Sequence, residues 1–320
     1  MYLFFIIYAM QASLISGISL SMASSMSSAS PPKIALITGS NKGIGKEIVR
    51  RFYNEPNTIT ILACRSKTLG EKACKDIIHC DQNDNERLVV CPLDLTDEKS
   101  IHDAAIFVKE RFGKLDVLIN NAAICFNDPT LYGKVPHTPF EKQAAITIQT
   151  NFFGTLKVTE AMIPLMLLSD SPRIINVASA AGRLSILQSQ ELIEKVTSES
   201  LSMDELKELM TDFIHSVENG THRQKGYPNT CYGMSKLGII AMTKIIANKY
   251  SKKDDNDNKN DSIILCNAVD PGYCATDQNN FQGYVPAERG SLTPFLLSTL
   301  PADAIGRSGS IFFEEQEIAW

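Results

Sequence analysis

The 320-residue chain is 44% hydrophobic and 21% charged with a formal charge of −5, the statistics of a globular protein able to bury a sizeable core. The acidic balance and the lack of a basic stripe exclude a typical nucleic-acid binder. The eight cysteines (64, 74, 80, 91, 125, 231, 266, 274) form no C-x-x-C and the five histidines no H-x-x-x-H, so zinc-ligand spacing is absent and no metal is expected. In a chain with a real core, scattered cysteines read as reduced thiols, which points to the cytoplasm.

The chain begins with the apolar stretch "MYLFFIIYAMQASLISGISL". No Lys or Arg precedes Lys33, unlike a signal or transit peptide, and Gln11, Ser13, Ser16 and Gly17 interrupt the run short of the roughly 20 residues of a membrane span. With internal methionines at Met22 and Met26, residues 1–30 are read as an upstream in-frame leader, and a targeting or anchor segment is the alternative. The folded domain is expected over 33–320.

"KIALITGSNKGIGKEIVRRF" is a strand, a turn holding Gly39, Gly43 and Gly45, and a helix. Such a turn brings backbone N–H groups and a helix N-terminus, worth about half a positive charge, against a pyrophosphate. The turn fails the P-loop pattern, because Lys46 is followed by Glu47 where Ser or Thr should bind magnesium. In the next strand, "TITILACRSK", Cys64 stands where an acid would bond a ribose 2′-OH. Arg65 follows, Lys42 is nearby in the turn, and a cation there suits a 2′-phosphate, so NADP is preferred over NAD.

The apolar runs "RLVVC", "LDVLIN", "RIINVAS" and "SIILCNAV" continue the alternation with helical segments, as in "DEKSIHDAAIFVKERFG" with its start in "LTDEK" and its stop at Gly113. Continuous β-branched runs alternating with helices predict an α/β fold, a doubly wound Rossmann-type parallel sheet of about seven strands. Two segments break the rhythm. Residues 183–225 carry a helical insertion in which Ser202 and Glu205 make a capping box, Leu206, Leu209, Met210, Phe213 and Ile214 share a face, and Gly220 ends the helix. "SKKDDNDNKNDS" reads as a solvated polar loop.

In "CYGMSKLGII", Tyr232 and Lys236 stand four residues apart, a spacing that alone describes any helix face. Its companions give it meaning. "TGSNKGIG", "LDLTD", "NNAA", "TNFFGT", "NVAS", "YGMSK" and "DPGYCAT" occur in order over about 240 residues, and in them the chain resembles the short-chain dehydrogenase/reductase family. The long insertion, "GTHRQKGYPNTCYGMSKLG" and the terminal "GSIFFEEQEIAW" resemble its monomeric NADPH-dependent carbonyl reductases. The chain departs from them at Ala123, where glycine is usual, at Leu69, where a second basic residue often stands, and at Asp270 and Tyr273, where animal enzymes tend to show Cys and Trp. Leu69 leaves part of the 2′-phosphate grip to Lys42 or Lys67.

The resemblance implies reduction of a small-molecule carbonyl compound, an aldehyde, a ketone or a quinone, with NADP(H) as cofactor. Tyr232 is then the general acid and Lys236 the neighbouring cation that lowers its pKa and bonds the nicotinamide ribose. Ser179 donates to the carbonyl oxygen, and Asn151 holds a water that relays protons to Lys236. Gly39, Asn41, Lys42, Gly43, Ile44, Gly45, Arg65, Asp94, Leu95, Asn121, Pro271, Gly272, Tyr273 and Thr276 complete the cofactor contacts, Asp94 at the adenine and the residues from Pro271 on at the nicotinamide. Ser179 and Tyr232 lie 53 positions apart (232 − 179), many more than in most members, so the insertion is expected to cover the surface through which others tetramerise and to leave a monomer. Two rival readings are a hydrolase and a silent NADP-binding sensor. "GMSKLG" misses G-x-S-x-G by one residue and Ser235 follows no buried strand, and the full set Asn151, Ser179, Tyr232 and Lys236 speaks against the sensor.

Overall fold

A computed structural model of the chain describes residues 30–78, 86–126, 138–250, 263–299, 301 and 308–320. The leader up to residue 29, the polar loop 251–262 and Cys80 lie outside the described residues. From Lys33 to Trp320 the chain folds as one unit. Its first half alternates β1 (Lys33–Thr38), α1 (Gly43–Asn54), β2 (Thr58–Cys64), α2 (Lys67–Ile77), β3 (Leu88–Pro92), α3 (Glu98–Phe112) and β4 (Val117–Asn120). There follows a long helix made of α4 (Phe140–Ile148), a π-helical turn (Gln149–Gly154) and α5 (Thr155–Met166), which leads into β5 (Arg173–Val177). The second half holds α6 (Gln190–Thr197), α7 (Met203–Glu218), α8 (Cys231–Tyr250), β6 (Leu265–Asp270), α9 (Ala287–Gly290), α10 (Leu292–Ser298), β7 (Ile311–Phe313) and β8 (Gln316–Ile318).

The sheet order is β3-β2-β1-β4-β5-β6-β7-β8, parallel except for the last pair. Thus the doubly wound parallel sheet expected from the apolar runs is present, with eight strands. The added pair is β7–β8, two three-residue strands (Ile311↔Ile318) that no long apolar run announces. Alternation along β1 sends Ile34 and Leu36 to the layer of α3, α5, α7 and α8, and Ala35 and Ile37 to the layer of α1, α2 and α10. Both faces of the central strands β1, β4, β5 and β6 are dry, which is why they read as unbroken apolar runs.

Local signals behave as the residues dictate. Asp97 caps α3 and Gly113 ends it at φ 75°. Ser202 and Glu205 form the reciprocal capping box of α7, whose Leu206, Leu209, Met210, Phe213 and Ile214 are buried. That face packs on α4 and α8. Between β1 and β4 the strand order reverses, and the crevice outside their carboxyl ends is where open α/β sheets hold ligands.

Candidate active site

The crevice is built from the β1–α1 turn and the chain leaving β4. Gly39, at φ 62°, lies so close to the β4 loop that a Cβ would stand 2.7 Å from the Ala122 Cα. Asn121 Nδ2 donates to the carbonyls of Thr38 (2.9 Å) and Gly39 (3.2 Å), and the Thr38 hydroxyl accepts the Asn121 N–H at 3.0 Å. Asn121 therefore stitches the loop to the glycine turn. At the α1 N-terminus Lys42 contributes no side-chain cap and the first turn holds no acid, so the leading N–H groups are left for an anion.

A cavity of about 540 Å³ opens here. Gly39, Asn41, Lys42, Gly43, Ile44, Arg65, Asp94, Leu95, Asn121 and Thr276, all expected from the sequence, line it. Gly45 sits beneath, where a Cβ would meet Asn121 Nδ2 at 2.5 Å. A second cavity, of about 670 Å³, shares Lys42, Gly43, Thr276 and Asp277 but faces Tyr284 and Glu288, away from the strand ends. Lys42 forms an ion pair with Asp277, joining the turn to the loop after β6. Lys67 stands 4.0 Å from Glu71, and Arg65 has no ion-pair partner among the described residues, so Arg65 is the uncommitted cation at the cavity. Asp94 Oδ1 accepts both the Thr96 N–H (2.9 Å) and hydroxyl (2.7 Å).

Behind Cys125 and Gln278 of the cavity wall, α8 begins with the Thr230 hydroxyl accepting the Gly233 N–H at 3.0 Å, which fixes the turn carrying Tyr232. Lys236, buried to 3% exposure, lies one turn on with its ammonium 5.6 Å from the Tyr232 ring centroid, and Nζ donates to the Val177 carbonyl at 2.7 Å. Ser179, just past β5, accepts the Ala181 N–H at 3.2 Å, so its own proton is free to donate elsewhere. It reaches the Tyr232 hydroxyl, and so does Gln278. Asn151 lies in the π turn, a device often found at functional sites. Its Nδ2 donates to the Ile124 carbonyl (2.8 Å) and Ser235 Oγ (3.1 Å), while Oδ1 accepts the Ile124 N–H (2.8 Å). Both ends of that amide are committed to tying the β4 loop to α8.

Burial dominates the electrostatics of this pair. Burial pushes the Tyr232 phenol well above its ordinary value, Cys125 and Asp270 add to the rise, and the bonds from Gln278 and Ser179 oppose it. Burial pushes Lys236 down to about 8, against the pull of Cys125 and Asp270. The Lys236 ammonium is itself desolvated and turned to the Val177 carbonyl. Cys125, between cavity and catalytic pair, is raised to about 11 chiefly by burial, and Cys231 and Cys274 are raised to about 12 and 11. These are inert thiols at neutral pH.

Some placements differ from the order of the sequence. Tyr273, expected at the nicotinamide, stands edge-on to Tyr284 at 5.8 Å, and the Gly272 N–H is held by Asp270 Oδ1 at 3.0 Å. On this side the cavity wall is formed by the expected Thr276 together with Asp277 and Gln278. Gln278 escaped sequence reasoning because a lone amide in a loop carries no spacing signal, and so did Ile146 and Thr150 in the wall. Ser235 lies within α8, fully buried, donating to the Tyr232 carbonyl at 2.7 Å, which removes it as a nucleophile.

Residues 33–190 match the short chain dehydrogenase family. Carbonyl reductase (NADPH) 1 of Bos taurus is 35% identical over 288 residues, covering 90% of this chain and 98% of the relative. The Homo sapiens protein of the same name is 35% identical over 290 residues, covering 90% and 98%. Among solved structures, salutaridine reductase from Papaver somniferum superposes with a TM-score of 0.74 at 28% identity, covering 88% of this chain and 99% of that one. Menthone neomenthol reductase from Mentha piperita gives 0.73 at 28%, covering 89% and 99%.

Proposed function

Because the chain belongs to the short-chain dehydrogenase family, we propose that it reduces aldehydes, ketones and quinones to alcohols with Tyr232 as general acid. It is an NADPH-dependent oxidoreductase. The cavity residues fit that cofactor: the uncapped α1 N-terminus suits a pyrophosphate and the uncommitted Arg65 a 2′-phosphate. Asp94 would hold the adenine end, and Thr276 and Asn121 would border the nicotinamide end. Bound there, NADPH supplies the hydride.

The chain's own residues handle the oxygen. A carbonyl oxygen placed between the Ser179 and Tyr232 hydroxyls accepts a hydrogen bond from Ser179 and the phenolic proton from Tyr232. The phenolate left on Tyr232 is stabilised by the Lys236 ammonium, once that ammonium leaves the Val177 carbonyl for the ribose side, and by Gln278. Asn151, whose amide ties the β4 loop to α8, would stand beside the water that passes protons to Lys236.

The observation that carries the reading is the approach of Ser179, from the chain leaving β5, to Tyr232 and Lys236 on α8, beside a crevice at the sheet's switch point. NADPH oxidation at 340 nm with benzaldehyde, an alkyl ketone and a quinone tests it. Tyr232→Phe should lose about 10³-fold in kcat, the scale of a positioned general acid. Equal non-zero rates for wild type and variant would sink the mechanism, and an inactive wild type that still binds NADPH would favour the silent sensor. We further propose a monomer, because α7 covers α4 and α8 with its apolar face, and a cytoplasmic setting, because the described cysteines are free thiols. Among the described residues no helix is long and apolar enough to cross a membrane. A stable tetramer in sedimentation would overturn the first proposal.

A further inference from the structure

The turn that carries Ser179 is held from two sides, and only one of them is the catalytic helix. Ser179 caps a short 3₁₀ turn, Ala180–Gly182: its Oγ accepts the Ala181 N–H at 3.2 Å and its carbonyl the Gly182 N–H at 2.9 Å. Ser179 and Gly182 therefore move together. On the inner side the turn lies directly on α8. A Cβ on Gly182 would stand 2.5 Å from the Lys236 carbonyl carbon, and one on Gly233 would stand 2.7 Å from the Ala181 oxygen. These contacts fall beside Tyr232 and at Lys236, so the seating of the turn fixes Ser179 relative to both.

On the outer side stands Trp320. The β7–β8 hairpin carries it to the turn, where its Nε1–H donates to the part-buried Gly182 carbonyl at 2.9 Å across 138 positions of sequence. The Lys244 ammonium lies 5.9 Å from the ring centroid. Lys236, Ile240 and Lys244 follow one another at i, i+4 and i+8 on one face of α8, and the indole covers the lower part of the stripe that Gly182 covers above. Ser179, Ala180, Ile240, Asp270, Ile318 and Trp320 enclose a void of only about 10 Å³, so the indole and the turn are in close contact.

We propose that Trp320 is a positioning residue for carbonyl reduction: its indole N–H pins the Ala180–Gly182 turn onto α8 and so holds the Ser179 hydroxyl at its working position beside Tyr232. The proposal rests on the catalytic role given to Ser179 above. Without the N–H, the part-buried Gly182 carbonyl loses its partner, and the turn shifts to find another, taking Ser179 with it. Misplacement of a group by about 1 Å can cost 10²-fold in rate, and the α8 contacts limit the shift to less than that.

Four variants test this: Trp320→Phe, Trp320→His, Ser179→Ala and Ser179→Ala with Trp320→Phe, each assayed for kcat, for KM toward NADPH and benzaldehyde, and for Tm. Phe keeps a ring and loses the donor, whereas His keeps a donor and loses ring area. Trp320→Phe is expected to lower kcat about fivefold with the NADPH KM unchanged, and to have no further effect in the Ser179→Ala background, since it acts through that hydroxyl. Trp320→His should retain more kcat than Phe despite the lower Tm. An unchanged kcat in Trp320→Phe, an equal loss in both backgrounds, or a kcat ranking that follows Tm would overturn the proposal while leaving the reductase intact. A wild type without reductase activity, or Ser179→Ala as active as wild type, would instead remove the reading on which it stands.

Discussion

Lys236 supplies the sharpest prediction, because activity and stability should respond to pH with opposite sign. Burial lowers its pKa from 10.5 to about 8, a preference for the neutral amine worth about 3 kcal/mol at 1.36 kcal/mol per unit. Since the folded chain binds this proton less tightly than the unfolded chain, the unfolded state holds more protons between pH 8 and 10.5. The penalty for the buried charge is therefore fully present below pH 8 and is relieved as pH rises across that window. Catalysis needs the ammonium to stabilise the phenolate, so kcat/KM for NADPH should fall tenfold per unit above a pKa near 8. Lys236→Met should flatten both profiles: it removes the activity limb along with most of the activity, and at pH 7 it stabilises the fold by about 2 kcal/mol, the charge penalty less the bond to Val177. Guanidinium unfolding at pH 7 and 9.5 beside a kcat/KM profile from pH 6 to 10 measures both. A kcat/KM flat to pH 9.5, or a Lys236→Met variant less stable than wild type at pH 7, would refute the reasoning.

Arg65→Leu should raise the NADPH KM by about 10- to 100-fold and leave kcat/KM for NADH unchanged, because only a 2′-phosphate uses the guanidinium. Equal losses with both cofactors would move the phosphate elsewhere. Gln278→Leu removes a donor from the Tyr232 oxygen and should lower kcat about threefold to tenfold with the NADPH KM unchanged, checked by steady-state kinetics. Ser202→Ala breaks the capping box of α7 at a cost of about 1 kcal/mol, seen as a Tm lower by about 2 °C with kcat unaffected.

What was legible in the sequence was local. A glycine turn, a capping box, and a Tyr and Lys one helical turn apart each declare themselves within a few residues, and seven such motifs in order specified both the sheet and the crevice. What stayed hidden depends on partners far along the chain. The β7–β8 hairpin is the clearest case. Its turn places Glu314 and Glu315 at φ 46° and 63°, a conformation for which Asn and Gly are the usual signal, so nothing local announces it. Its stabilisation comes from elsewhere: Arg289 grips the Glu315 carboxylate with two nitrogens (2.6 and 2.9 Å), and the Thr293 hydroxyl donates to it at 2.7 Å. That long-range clamp sets a hairpin which in turn sets Trp320, and Trp320 sets the turn of a serine 141 positions earlier (320 − 179). The motif residues name the chemistry, whereas the distance between Ser179 and Tyr232 is decided by contacts that leave no motif. Two chains sharing every motif can therefore differ in rate through residues remote from all of them.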